Sequence, residues 1–496
     1  MKVAILALFS WGLASAQTAG TFTATGQMST PRANHTATLL FDGTVLITGG
    51  DNESSIPAQL QMATAEIYDP VDRIFKPVGN MTAGRSGHTA TLLPNGRVLI
   101  AGGGATAELY DPSTQSFTAT GSMVTGRSGA NATLLPNGKV LITGGITGYG
   151  NSDTVLVGGA EVYDPSTGTF APTGAYAGSL SSMRNSEWFD STSTRLADGT
   201  VLFASEPAVE VYDPGTGTFS FRGVIGVVGN YMLGRTANLL MNGKVLLAGG
   251  EQEDTGLYNV ALLYNPATGV FSFTGAMTVP RYNHTATLLP DGTILMAGGV
   301  TYTCSNPCLL GSEFFFGSED NAELYNPRLG TFTAAGSMKQ RRRLHTATLL
   351  NDGDVLLAGG EDWVFETSDA ISATADLYHP ASPLPAPRLF SLSGDGKGQG
   401  AIWDSQTGQV PSAGFPAVAG EILSMYTTSL IDGGVIPPQI SIGGSPAEVL
   451  YFGPSSYPGY YQINFRVPSG VASGSAVPVR LSYIGRSSNA VTIGVQ

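Results

Sequence analysis

At 496 residues, with 24 Lys and Arg against 37 Asp and Glu and a net charge of −13, the chain has length for more than one core. Its cationic residues form no stripe, which argues against nucleic acid or an anionic membrane as partner and leaves glycans, proteins and small solutes. With 66 glycines, 12% charged residues and no apolar period of 3.6 beyond the first twenty residues, short strands and turns are favoured over helices.

In chain order, Met1-Lys2, the apolar run from Val3 to Phe9 and Ala14-Ser15-Ala16 before Gln17 have the three regions of a secretory signal. Residues 1–16 are therefore expected to be cleaved, which places the mature chain outside the cell, at its surface or in a periplasm. The run is too short to span a bilayer comfortably, and no membrane insertion is expected after cleavage.

From Phe41 to Gly360 one pattern is written seven times. A Gly-Gly pair begins at positions 49, 102, 144, 249, 298 and 359, and a degenerate copy around Asp198-Gly199 fills the long gap. Each copy holds an apolar hairpin whose turn is Asp-Gly or Asn-Gly, residues that tolerate positive φ. The run before that turn is strand a (His88-Thr-Ala-Thr-Leu-Leu in the cleanest copy), and the run ending in Gly-Gly is strand b. Strand c ends in Tyr68, Tyr110, Tyr163, Tyr212, Tyr264, Tyr325 or Tyr378, and all but the last precede Asp-Pro or Asn-Pro. These X-Pro pairs stop the strand. Strand d carries Phe75, Phe117, Phe170, Phe219, Phe271 or Phe332, with Phe22 as the seventh.

These residues resemble the kelch family over roughly Gly20 to Ser382, with Phe or Leu where many kelch repeats place Trp. The resemblance implies a propeller of four-stranded blades. The last copy lacks its fourth strand and an isolated Thr21-Phe-Thr-Ala-Thr stands near the start, so the two ends are expected to complete one blade and remove the open sheet edge.

Two sets of residues repeat in phase. Arg32, Arg85, Arg127, Arg281 and Arg342 stand three positions before the strand-a histidine position, and Glu66, Glu108, Glu161, Glu210, Glu323 and Asp376 stand two before the strand-c Tyr. A repeated Arg matched by a repeated acid predicts structural ion pairs between blades, with an anion-holding ring of guanidiniums as the alternative. His35, His88, His284 and His345 share one repeat position, and hydrogen bonding in the scaffold is expected there rather than metal binding, because Ala130 and Arg235 replace the histidine in two blades.

What does not repeat is where a site is sought. The a-to-b and c-to-d turns are nearly uniform. The b-to-c loops vary from a few residues to long insertions at 51–63, 146–159, 251–259, 300–320 and 361–373, and mark a binding face. Acids mix there with Tyr149, Tyr258, Tyr302 and Trp363, a combination suited to sugar rings or a cationic peptide; Phe314, Phe315 and Phe316 have the alternative role of folding their loop onto the propeller. Blade four departs from the repeat between Gly174 and Ser191, where Arg184, Glu187, Trp188 and Asp190 are further ligand candidates. Cys304 and Cys308 are the only cysteines, and an oxidising compartment predicts a local disulfide between them.

Residues 381–387 read as a Pro-rich linker after a propeller of residues 17–380. Beyond it, alternating runs at 422–426, 439–442, 447–452, 460–467, 477–483 and 491–495 predict an immunoglobulin-like sandwich over 388–496. Gly394-Asp-Gly-Lys-Gly-Gln-Gly-Ala, Ile442-Gly-Gly-Ser-Pro-Ala-Glu and Ser488-Asn-Ala-Val-Thr-Ile resemble a C-terminal domain of large secreted bacterial proteins, related to IPT/TIG sandwiches. The resemblance implies export and surface presentation, not chemistry.

A kelch propeller followed by such a domain also resembles the galactose oxidase architecture. That family's copper radical chemistry implies a Tyr crosslinked to Cys and a His donated by the C-terminal domain. No His follows His379 and no Cys lies outside the 304/308 loop, so the ligand set is incomplete. The expectation is all-β: a seven-bladed propeller closed by its N-terminal strand, acting as an exported, monomeric, non-catalytic binder of a glycan or protein, with no cofactor.

Overall fold

A computed structural model describes residues 19–52, 61–147, 155–176, 191–205, 208–225, 234–252, 256–257, 259–304, 314–363, 370–431 and 435–496, and every element among them is a strand. Seven antiparallel sheets follow the repeat. In blade one, strands a to d are Thr36–Leu39, Val45–Thr48, Ala65–Asp69 and Ile74–Pro77. Strand a of blades two to seven is His88–Leu92, Ser128–Leu134, Thr192–Arg195, Thr236–Leu239, Thr285–Leu288 and Thr346–Leu349. Each strand a touches the next, and that of blade seven touches that of blade one, so these strands form the inner wall of a closed ring.

Strand b is a continuous apolar run because both its faces are covered by neighbouring sheets. Val45, Leu46 and Ile47 are all at 0% exposure, and burying such side chains contributes about 1.5–3 kcal/mol each. Tyr68 packs against Leu356 and Leu377 of blade seven while its ring meets Phe75 of its own blade at 4.8 Å. The last blade takes its fourth strand from the start of the chain: Thr21–Ala24 pairs with Ala375–His379, with Phe22 opposite Tyr378.

The Gly-Gly pair makes the junction between blades. Gly360 of blade seven donates its N–H to the carbonyl of Arg32 in blade one at 2.9 Å. Gly359 has φ +63°, and a Cβ there would come within 2.5 Å of that same carbonyl oxygen, so only glycine fits without movement.

The repeated Arg and acid pair within one blade, contrary to the expectation of contacts between blades. Arg32 Nη2 lies 2.8 Å from Glu66 Oε1, its Nη1 donates to the carbonyl of Gly49 at 2.8 Å, and Glu66 Oε2 accepts the Ser29 N–H at 2.8 Å. Arg85–Glu108, Arg127–Glu161, Arg281–Glu323 and Arg342–Asp376 do the same at 2.8–2.9 Å. The Arg sits on the segment leading into strand a and reaches past the end of strand b to strand c of the same sheet. Glu210 holds the corresponding register in blade four and is buried.

The histidines, by contrast, do reach across from one blade to the next. His88 Nε2 meets the hydroxyls of Thr36 at 3.1 Å and Thr48 at 3.0 Å, both in blade one. His35 meets Thr346, His284 meets Thr236 and His345 meets Thr285, each at 3.0–3.1 Å.

The C-terminal region forms one eight-stranded sheet: Ile402–Asp404, Ile422–Thr427, Gln439–Ile442, Ser445–Pro454, Tyr461–Arg466, Gly474–Tyr483, Arg486–Ser487 and Val491–Val495. Ser445–Pro454 pairs with Gln439–Ile442 near its start and with Tyr461–Arg466 further along, with a register shift between Val449 and Tyr451. A bulge of that kind bends the strand, and the two halves enclose a core that includes Leu423, Ile463, Phe465, Val479 and Leu481.

Candidate functional site

The C-terminal region lies over the a-to-b turns of the propeller. Val435 donates its N–H to the Met241 carbonyl at 3.0 Å, the Arg480 guanidinium sits 4.9 Å from the Phe41 ring centroid, and Tyr483 reaches the Met241 sulfur at 3.7 Å. Phe41 and Met241 stand next to the Asp-Gly and Asn-Gly turns. That face, uniform in sequence, is therefore covered by the chain itself, and the b-to-c loops project from the other end.

On that other end the loops of blades six and seven are joined. Blade six extends Val300–Cys304 and Phe314–Ser318 as a hairpin beyond its b and c strands, and blade seven extends Glu361–Asp362 and Ala370–Ile371. Ser318 donates its N–H to the Trp363 carbonyl at 2.7 Å, and Trp363 returns its own N–H to Ser318 Oγ at 2.9 Å. Arg343, next to the scaffold Arg342, exchanges two backbone hydrogen bonds with Glu361, each 3.0 Å. Its Nε donates to Glu361 Oε1 at 2.6 Å, and its guanidinium carbon lies 4.4 Å from the Trp363 ring centroid. Phe316 meets Trp363 at 6.3 Å with a tilt of 48°.

Tyr282 completes the cluster from the segment leading into blade six, held by backbone bonds with Val300 in both directions. Burial, and then the Glu251 carboxylate, push its phenol up to about 12, against a hydrogen bond to Arg343. The cluster presents an aromatic plane beside donors and acceptors already fixed by partners. Such a surface can stack on a ring and hydrogen-bond its substituents.

Acids recur directly after the Gly-Gly pair at Asp51, Glu251 and Glu361. Asp51 is buried, accepts Ser86 Oγ at 2.6 Å and Asn34 Nδ2 at 3.1 Å, and burial raises its pKa.

Of the ligand candidates read from the sequence, Trp363 lies in this cluster and is half-buried. Tyr302 is in the blade-six hairpin, but its side chain lies outside the described residues, as do Tyr149, Arg184, Glu187, Trp188, Asp190, Tyr258 and Cys308. Sequence reading missed Tyr282 and Arg343. Both sit in the segments between strands d and a rather than in the variable loops, and their signal was slight: Arg343 belongs to the run Arg341-Arg342-Arg343, of which only the middle residue repeats.

No family description and no curated protein matches the chain. Among solved structures it is similar to a novel fungal alcohol oxidase of the AA5 family in complex with copper, at 16% identity and a TM-score of 0.59, covering 97% of this chain and 99% of the other. It is also similar to YjhT at 17% identity and a TM-score of 0.43, covering 70% and 95%.

The residues present do not fit a copper centre of the kind that the first likeness implies. Imidazoles are natural copper ligands, and all five in the chain are described. Four are buried at separate blade junctions on threonine hydroxyls, and His379 lies between Asp354 at 2.7 Å and Thr23 at 2.8 Å. Among the described residues no three His, Cys, Asp or Glu side chains converge as a metal site would need. What the comparison shows is the seven-bladed, galactose-oxidase-like propeller fold.

Proposed function

We propose that this is an exported, non-catalytic binding protein that holds a glycan on the b-to-c loop face, around Trp363, Phe316, Tyr282 and the Arg343–Glu361 pair. The observation that carries this reading is the joining of two long loops into one half-buried aromatic surface at the end of the propeller that the C-terminal region leaves open. In the same reading residues 1–16 are an export signal, and the C-terminal module is an immunoglobulin-like spacer or attachment domain. A glycan array probed with the mature protein tests it: retained glycans that Trp363→Ala releases support the reading, whereas binding only to proteins of the cell envelope, or to nothing, overturns it. The competing reading is an AA5-like oxidase, which shares the fold but which the placement of the five histidines opposes. Stoichiometric copper in the purified protein, with alcohol-dependent peroxide formation, establishes that reading in place of the first.

A further inference from the structure

At the turn end of the ring, between the strand-a wall and the C-terminal region, lies a cavity of about 1370 Å³ lined by residues of all seven blades. One register position of strand a, the partner of the first residue of strand b, faces it in every blade. It is Leu39, Leu92, Leu134, Leu239, Leu288 and Leu349 in six blades and Arg195 in blade four. Two residues earlier the other blades have Ala and blade four has Ser193, whose hydroxyl lies 2.6 Å from that of Thr143. An apolar ring is thus interrupted by one polar stripe ending in a guanidinium.

Among the described residues no carboxylate pairs with Arg195. Its hydrogen bond to protein is a long one, from Nη1 to the Leu134 carbonyl at 3.4 Å. Burial alone lowers its pKa, with no carboxylate opposing the shift. The other charged groups lining the cavity have partners. Arg480 stacks on Phe41 near Asp42, Glu448 pairs with Arg466 at 2.9 Å, and Asp198 caps its own turn through Thr200. Arg195 is half-buried, a cation partly withdrawn from water without a counter-ion carries a cost, and the Leu of the other blades would remove it.

We propose that this cavity binds an amphiphilic carboxylate, with the carboxylate on Arg195 and the aliphatic body against the leucine ring. A guanidinium accepts a carboxylate through two parallel hydrogen bonds, and the six leucines supply apolar contact on the remaining wall. This site is at the opposite end of the ring from the b-to-c face and does not depend on what that face binds.

Calorimetric titration of the full mature chain with decanoate and with decan-1-ol tests the proposal. Wild type is expected to bind decanoate at least tenfold tighter than the alcohol. In Arg195→Leu, which restores the repeat, that preference disappears while the unfolding temperature is kept or raised, and Arg195→Lys retains part of it. Undiminished decanoate binding by Arg195→Leu, or no wild-type binding at millimolar decanoate, overturns the site. Trp363→Ala leaves decanoate binding unchanged, so failure here and failure of the glycan reading are told apart.

Discussion

The ring of Phe22 lies 4.9 Å from that of Tyr378 at an angle of 50°, the geometry that Tyr110 and Phe117 adopt inside blade two at 4.9 Å and 50°. Residues at the two ends of the propeller thus form the same cross-strand pair that chain neighbours form elsewhere. Completion of the last blade therefore rests on a strand of four residues, Thr21–Ala24. Phe22 is 7% exposed and Phe273, on strand d of blade five, is 71% exposed. Phe22→Ala is expected to cost about 3–5 kcal/mol and Phe273→Ala about 0.5 kcal/mol or less. Deleting residues 17–27 should lower the unfolding temperature well beyond Phe22→Ala. Equal urea midpoints for the two point variants would show that the closing strand is dispensable.

Arg281 and Glu323 are buried at 0% and 2% side-chain exposure, 2.9 Å apart, and Arg281 also serves the carbonyls of Gly298 and Asn321. Removing one partner leaves a charge buried without a counter-ion. Glu323→Leu alone is expected to cost about 3–5 kcal/mol, and the double variant with Arg281→Met less than the sum of the two singles. A double-mutant cycle in urea that is additive within about 0.5 kcal/mol contradicts the coupling.

Strand positions were legible in the sequence because the Asp-Gly turn, the strand-c Tyr and the strand-d Phe recur in phase, and each marks a local conformation. The partner of each Arg was not. When Arg and acid both recur once per repeat, the period is the same whether they pair within a blade or between blades, and only the path of the segment before strand a decides. The seating of the C-terminal region on the turns was equally hidden, since Phe41 and Met241 are single apolar residues in polar turns. Arg195 stood in plain view inside the aberrant blade, but a cation in strand a has meaning only once the six leucines at its register are known to face one cavity.

The junction histidines predict a pH dependence. Burial, and then nearby arginines, lower His88 to about 3, and burial and Arg281 lower His284 likewise to about 3. His35 and His345 are held well below their usual value, chiefly by burial. The unfolded chain takes up these protons near pH 6.5, whereas the folded chain resists until about pH 3. Their contribution is therefore complete above pH 6.5 and is lost as pH falls through that window. At pH 5 each accounts for about 2 kcal/mol relative to neutral pH. Asp51 and Asp354, raised by burial, act with the opposite sign near pH 4, so the informative quantity is the difference from His88→Gln. That variant should show a shallower loss of stability from pH 6.5 to 4, and parallel curves would mean that His88 takes up its proton in the folded state.

Gly359 and Gly129 have nearly the same φ, +63° and +65°, yet different surroundings. A Cβ at Gly129 meets nothing within 4 Å, whereas at Gly359 it would lie 2.5 Å from the Arg32 carbonyl oxygen and 2.6 Å from the His35 ring. Alanine at either position carries the left-handed conformational cost of about 1–2 kcal/mol. At Gly359 the carbonyl must also move, and it is the acceptor of the Gly360 N–H that joins blade seven to blade one. Gly359→Ala is therefore expected to cost about 2 kcal/mol more than Gly129→Ala, from overpacking together with a weakened buried hydrogen bond. Guanidinium unfolding of the two variants measures the difference directly. Equal losses would assign the role of the Gly-Gly pair to φ alone, and a larger loss at Gly359 assigns it to the close approach of neighbouring blades.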